Sequence, residues 1–302
     1  MSKIILITGA TDGIGKITAT ELAKKGNHVI IHGRNEQKAK QTVAEIEQQT
    51  ENAQVEYLIA DLFSLSAVKQ MANQFQQKYD HLDVLINNAG AVLDDTRRET
   101  DGIENTMALN VLAPFLLNQL LLPSLEKSTD GRIINMSSGT HRQAKPDMND
   151  LNLEKESSGQ KRYGISKLFV IWNSQHLAAE LQKQGITNVT VNCSHPGAVA
   201  TKFGQDSDNG FFVNLIYKTA LAVSKIPVLG NFGAPEKGAV TNIYLASSDE
   251  VKGLTGKFFN NKKQLEEPET KEYTPARELQ LWDYCMKVCV PFLKKSLPAD
   301  YQ

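Results

Sequence analysis

KIILITGATDGIGK, residues 3–16, decides how the rest of the chain is read. KIILIT (3–8) is a short apolar run closed by glycine and reads as a fully buried strand. ITATELAKKG (17–26) has helical spacing and ends on a glycine stop. The turn between them carries Gly9, Gly13 and Gly15 in the spacing GxxxGxG. Glycine lets backbone pass close to a pyrophosphate, and a helix N-terminus offers it free N–H groups. Strand, glycine turn and helix in this order open a βαβ unit with a candidate dinucleotide-binding turn.

The same alternation continues outward. HVIIHG (28–33), VEYLIAD (55–61), LDVLINNAG (82–90), RIINMSS (132–138) and NVTVNCSHPG (188–197) read as further strands, and GKFFN (256–260) as a last one. Helical segments are predicted over 36–49, 65–79, 103–127 with a break near Pro114, 162–184, 211–223 and 235–247. Apolar strands alternating with helices give an α/β fold: a Rossmann-type, doubly wound parallel sheet with helices on both faces. No stretch rich in Gly, Pro or Ser divides the chain, and no internal repeat is present. The expectation is a single domain over 1–302. Its core covers 3–260, and a charged appendage with a short helix at 276–289 follows over 261–302.

Composition narrows the function classes. The 302 residues are 41% hydrophobic and 22% charged, with a net charge of −1. That balance carries no electrostatic signature of a nucleic-acid partner or an anionic membrane surface. Three cysteines make no disulfide framework and suit a reducing, cytoplasmic compartment. Cys285 and Cys289 stand at i and i+4, but no third or fourth ligand accompanies them, so no metal site is expected. The N-terminus, MSKIILITGA, is interrupted too early for a signal peptide. VLAPFLLNQLLLPSL (111–125), at 15 residues, reads as a buried helix and not as an integral membrane segment.

The chemistry-bearing motifs fall at strand ends. Strand two ends in HGRN, with no acid before Glu36 to take a ribose 2′-hydroxyl. Arg34 stands there instead, and a guanidinium suits a 2′-phosphate, so NADP(H) is favoured over NAD(H). Asp61 ends strand three, placed either to accept from an adenine amino group or to cap the next helix. YGISK (163–167) sets Tyr163 one helical turn before Lys167, and a fixed cation favours phenolate.

Taken in order, TGATDGIG, Asp61, NNAG, Asn110, Ser138, YGISK and HPGAVAT resemble the short-chain dehydrogenase/reductase family over about residues 3–260. GIGK, GRNEQKA, RIINMSSGTH, HPGAVATKF and EKGAVTNIYLASS resemble its retinol dehydrogenase-like branch and bacterial relatives in particular. The resemblance implies Tyr163 as proton donor and acceptor, with Lys167 lowering its pKa and holding the nicotinamide ribose. It implies Ser138 as the group that polarises a carbonyl, and Asn110 as the holder of a relay water. Cofactor contacts are implied along the first turn at Gly9, Thr11, Asp12, Gly13, Ile14 and Gly15. They continue at Arg34, Asp61 and Leu62, through Asn88, Ala89 and Gly90 of NNAG, and at Pro196, Gly197, Val199 and Thr201 after strand six. Tyr163 and Lys167 complete them.

The reaction expected is interconversion of a carbonyl and an alcohol with NADP(H). A reductase of activated carbon–carbon double bonds and a non-enzymatic redox sensor are the alternatives. The partner is a small molecule, and family members often form dimers or tetramers, so a homo-oligomer is possible. Residues 202–232 correspond to the family's substrate flap, with Phe211, Phe212, Leu215, Ile216 and Tyr217 forming an apolar lid or an ordinary core helix. KPDMNDLNLEKESSGQKR (145–162) is an insert before Tyr163. It either covers one side of the site, alters the assembly surface, or is a solvated loop, which its polarity supports.

Overall fold

Strands β1 (Ile4–Ile7), β2 (His28–Gly33), β3 (Val55–Ile59), β4 (Val84–Asn87), β5 (Gly131–Met136), β6 (Val189–Ser194) and β7 (Phe258–Phe259) form one sheet in the order β3-β2-β1-β4-β5-β6-β7. Every pairing between them is parallel. The computed structural model describes residues 2–94, 102–197, 235–268 and 271–293. The segment read as the flap, and with it Val199 and Thr201, lies outside them.

Side chains alternate across a strand, so each central strand feeds two cores. Leu6, Ile30, Leu85 and Ile133 belong to one cluster, together with residues of α3 (Leu65–Lys78), α5 (Ala113–Leu125), α6 (Gly159–Lys183) and α8 (Pro275–Leu293). Ile5, Ile7, Val29, Ile31, Val84, Ile86 and Ile134 belong to the other, against α1 (Gly13–Lys24), α2 (Glu36–Thr50) and α7 (Pro235–Ser247). Each fully buried Ile or Leu contributes roughly 1.5–3 kcal/mol. The expected doubly wound α/β sheet is therefore the architecture observed.

Helix α1 begins at Gly13, four residues earlier than its apolar spacing indicates. Asp12 caps it, its Oδ1 accepting from the Gly13 N–H at 2.8 Å. Gly13 and Gly15 are thus part of the first helical turn, where weak intrinsic propensity hides them.

The break expected near Pro114 is a π-helical turn, Ala108–Leu112, joining α4 (Asn105–Met107) to α5. The Ala113 N–H reaches back to the Ala108 carbonyl. Residue 114 is proline and has no N–H, so the Asn110 carbonyl lacks its ordinary α-helical donor. Asn105–Leu125 is 21 residues long, and its mean hydropathy of 1.5 is high enough to cross a membrane by length and composition. Length therefore does not exclude a span here as the 15-residue estimate did, but 72% of its apolar window is buried within the fold.

The appendage forms a 19-residue helix, longer than predicted. Leu281, Trp282, Cys285, Met286, Cys289 and Leu293 make its buried stripe. Trp282 stacks on His176 of α6 at 4.3 Å and meets Phe115 of α5 edge-on at 4.9 Å. Both thiols of the i, i+4 pair are buried, and Cys285 Sγ accepts from Asn173 Nδ2. Among the described residues no group of three or more His, Cys, Asp or Glu could hold a metal ion.

Candidate active site

The predicted site segments collect along one edge of the sheet, beyond the C-terminal ends of β1 to β6. The order reverses between β1 and β4, which is where a ligand crevice opens in such sheets. There the Gly9 turn and NNAG are laced together. Thr8 Oγ1 accepts the N–H groups of Asn88 and Ala89, both at 3.0 Å. Asn88 Nδ2 donates to the carbonyls of Thr8 at 2.8 Å and Gly9 at 3.1 Å.

Glycine is required at this edge by backbone conformation and by the close approach of neighbouring protein atoms. Gly9 lies in the left-handed region, at φ 64°. A Cβ on Gly90 would stand 2.9 Å from Lys167 Nζ and 3.1 Å from Asn110 Oδ1. Gly197, at φ 74°, is pressed on Asn261, which a Cβ would meet at 2.6 Å. Thr11, Asp12 and Ile14 complete the turn at the start of α1. A glycine-lined cradle with a helix N-terminus at its base fits a dinucleotide pyrophosphate.

His32 was not legible as part of this turn. Its Nδ1 accepts from the Gly9 N–H at 3.2 Å, and its Nε2–H donates to the Ala60 carbonyl at 3.1 Å. The ring therefore ties the glycine turn to the end of β3, and it can do so only when neutral. Burial, with help from Arg34, pushes it down to about 4 from 6.5, against the Ala60 bond and Asp61, which pull up. Between those values the unfolded chain takes up a proton that the fold refuses. The stability is present above about 6.5 and is lost as pH falls toward about 4, amounting to about 3 kcal/mol. His32→Gln keeps an acceptor and a donor but does not titrate. Urea denaturation from pH 6.5 to 4 is expected to show a shallower loss of stability in His32→Gln than in the wild type. Parallel profiles would contradict the assignment.

Arg34 follows β2 and is exposed, its guanidinium 5.7 Å from the Phe63 ring centre. Lys38, one turn into α2, stands beside the glycine turn, bonded to Asp12 Oδ2 at 2.9 Å. Sequence reading overlooked it, although GRNEQK places a second cation four residues after the first. Asp61 does not cap the next helix, since Ser64 does. Asp61 Oδ1 accepts from the Phe63 N–H instead, on an exposed side chain, while Leu62 is buried.

Asn110, Ser138, Tyr163 and Lys167 converge. The Ser138 hydroxyl faces the Tyr163 hydroxyl and favours its ionised form. Lys167 Nζ donates to the Met136 carbonyl at 2.9 Å and lies 5.5 Å from the Tyr163 ring centre. Ser137 Oγ donates to the Lys167 carbonyl at 2.8 Å, fixing α6 on β5. Asn110 Oδ1 accepts from the Ala91 N–H, and its Nδ2 donates to the Ala91 carbonyl and Ser166 Oγ, each at 3.0 Å. The Asn110 side chain is thus committed to protein partners.

Burial governs the titration of both central groups. It pushes the Tyr163 phenol above its usual range, with the Ser138 hydroxyl pulling the other way. It pushes the Lys167 ammonium down to about 8, opposed by Cys193. In the protein alone burial dominates, with Ser138 opposing it, and the phenol stays protonated at neutral pH.

Behind Ser138, His141 Nδ1–H donates to the Ser138 carbonyl at 2.6 Å. His195 Nδ1 accepts from the Gly197 N–H, and its Nε2 faces Glu266 at 3.4 Å. Glu266 also pairs with Arg142. Burial, then Arg142 and His141, push His195 down to about 4, so it stands neutral. Pro196 separates His195 from Gly197 in the chain, just after β6.

A family model described as short chain dehydrogenase matches residues 3–210. Human polyprenol dehydrogenase is 37% identical over 284 residues, covering 93% of this chain and 83% of that protein. Human retinol dehydrogenase 13 is 34% identical over 280 residues, covering 92% and 82%. A short chain dehydrogenase of Shigella flexneri, solved in complex with NADP, superposes with a TM-score of 0.64 at 29% identity, covering 86% of this chain and 97% of that one.

Proposed function

Because the chain belongs to the short-chain dehydrogenase family, we propose that it is an NADP(H)-dependent oxidoreductase interconverting a bulky, apolar ketone or aldehyde and its alcohol, with Tyr163 as acid–base. The observation that carries this reading is the meeting of Ser138, Tyr163 and Lys167, the ammonium 5.5 Å from the phenol ring centre, at the sheet edge that holds the glycine cradle.

The nicotinamide would supply the hydride when bound. The rest falls to the chain's own residues. Ser138 and Tyr163 both donate to an oxygen on which negative charge grows. Tyr163 keeps its proton at neutral pH, which suits a donor in the reducing direction. Lys167, Asn88, Ala89 and Gly90 would hold the nicotinamide ribose. A relay water at Asn110 would take its backbone carbonyl, since its side chain is spent on Ala91 and Ser166. The apolar character of the substrate is supported by the names of the relatives and by the aromatic residues of 211–217.

Arg34 and Lys38 support NADP(H), as does the NADP bound by the Shigella protein. Arg34→Ala is expected to raise the Kd for NADPH about tenfold or more, the equivalent of one charge-assisted bond, and to leave NADH within about twofold. Fluorescence titration with both cofactors measures this, and an equal loss for both would refute the 2′-phosphate role.

The same reading treats 3–260 as the catalytic core and 261–302 as an appendage on α5 and α6, supported by the docking of Trp282. Three free cysteines support a reducing, cytoplasmic location. The direct experiment follows oxidation of NADPH and NADH, each against aldehydes, ketones, quinones and activated alkenes. Alcohol formation with NADPH is expected. Saturated products from the alkenes alone would favour a double-bond reductase, and binding without turnover a sensor.

A further inference from the structure

We infer that Arg162 and Glu104 are positioning residues: their buried ion pair fixes the first turns of α6, and with them Tyr163, against the helical segment that carries Asn110. The inference rests on the function proposed above for the meaning of Tyr163, but its geometry stands independently.

Both side chains are withdrawn from water, at 0% and 1% exposure, with Arg162 Nε 3.4 Å from Glu104 Oε1. The guanidinium also donates to the Glu156 carbonyl at 2.7 Å and the Leu93 carbonyl at 2.9 Å. It therefore joins the insert, the loop after NNAG and the N-cap of α4 at the residue just before Tyr163. Glu104 is that N-cap. Its Oε2 accepts from the Met107 N–H at 3.0 Å, and its Oε1 from the Thr106 hydroxyl at 2.9 Å. Gly159, the first residue of α6, is packed on the same Leu93 carbonyl, which a Cβ would meet at 2.3 Å.

Burying an ion pair gives no dependable gain over apolar packing of equal volume, so its presence calls for a geometric reason. Helix α6 supplies one. Every residue from Arg162 to Ser174 is buried, Tyr163 and Lys167 among them. A helix with an apolar stripe is oriented by that stripe, but one buried all round is not. Directional charge-assisted bonds can set its rotation where hydrophobic packing leaves it open.

The insert takes part in this. Leu151 and Leu153 are buried in the core despite the polar sequence around them. Asn152 Oδ1 accepts from the Glu104 N–H at 3.1 Å and from the Tyr284 hydroxyl of α8 at 3.2 Å. The insert is thus a brace between the C-terminal helix and the pair, and not the solvated loop its composition suggests.

The test uses the full chain as wild type, Glu104→Gln, Arg162→Met and the double variant, with Arg162→Lys as a milder change should Arg162→Met fail to fold. Three quantities are read: kcat and KM for NADPH with the best-reduced carbonyl, the melting midpoint, and the 13Cζ resonance of Tyr163, assigned by its loss in Tyr163→Phe. In variants still folded at the assay temperature, kcat is expected to fall about tenfold or more while KM for NADPH stays within about twofold. The double variant should lose less than the product of the two single losses, because both changes break the same pair. The Tyr163 resonance should move or split in each. A folded single variant with kcat within twofold of the wild type and an unmoved resonance would overturn the inference. So would losses that simply multiply in the double variant. If the wild type reduces no carbonyl, the function proposed above fails, and the Tyr163 resonance alone then decides whether the pair positions that side chain.

Discussion

Tyr163→Phe is expected to cut kcat for carbonyl reduction by about 10²–10⁴-fold, the range a single positioned proton donor supplies. The substitution removes one oxygen from a buried ring. Its contact with the Lys167 ammonium, 5.5 Å from the ring centre, survives because it belongs to the ring face. Lys167 keeps its bond to the Met136 carbonyl, and Ser138 keeps its bond from the Thr140 hydroxyl at 3.1 Å. None of the hydrogen bonds described for the glycine turn, for NNAG or between α6 and β5 uses the phenol oxygen. The loss should therefore fall on kcat, with the Kd for NADPH within about threefold of the wild type and the melting midpoint little changed. Steady-state rates from reduced-nicotinamide absorbance, with fluorescence titration of NADPH, separate the two. Turnover within threefold of the wild type would end the claim that this phenol gives the proton.

Gly15→Ala is expected to be as severe for cofactor binding. A Cβ there would stand 2.4 Å from the Gly9 carbonyl oxygen, 2.5 Å from Asn88 Nδ2 and 2.9 Å from Ala10 Cα. Two of those neighbours are backbone, and the third is held by its bonds to Thr8 and Gly9, so none can yield cheaply. Helix propensity favours alanine over glycine by about 1 kcal/mol. Overpacking costs about 1–3 kcal/mol, and each Asn88 hydrogen bond lost adds about 1 kcal/mol, so the steric term wins. Helix α1 must back away from the turn, carrying its N-terminal N–H groups with it. The Kd for NADPH should rise at least about tenfold, with a net destabilisation of about 1–3 kcal/mol. Unchanged binding and an unchanged melting midpoint would show that the turn does not need the close approach described.

What could be read from the chain follows from what each interaction leaves in its local pattern. The six longer strands were visible because a parallel strand covered on both faces is a plain apolar run. The start of α1 was displaced because Gly13 and Gly15 are poor helix formers, held there by the Asp12 cap and by contact with Gly9 and Asn88. Pro114 announced an interruption, but not the π-helical turn at Ala108–Leu112 or the bonds of its Asn110 side chain to Ala91 and Ser166, groups 19 and 56 positions away in the chain. Tyr163 and Lys167 stood out by their i, i+4 spacing and Ser138 by resemblance to the family, and the fold brings the three together. His32, Lys38 and Arg162 were not legible, because their roles lie in tertiary contacts: Gly9 with Ala60, Asp12, and Glu104 with Leu93 and Glu156. The insert misled for a simpler reason. Leu151 and Leu153 are two apolar residues among many polar ones, too few to show a period.

The most direct measurement is the fate of deuterium from C4-deuterated NADPH, followed by mass spectrometry and NMR of the product across the carbonyl and alkene panel. Transfer to the former carbonyl carbon, giving a deuterated alcohol in the wild type and almost none in Tyr163→Phe, is the predicted result. Deuterium on a saturated carbon beside an intact carbonyl, or none in any product although NADPH binds, would contradict it.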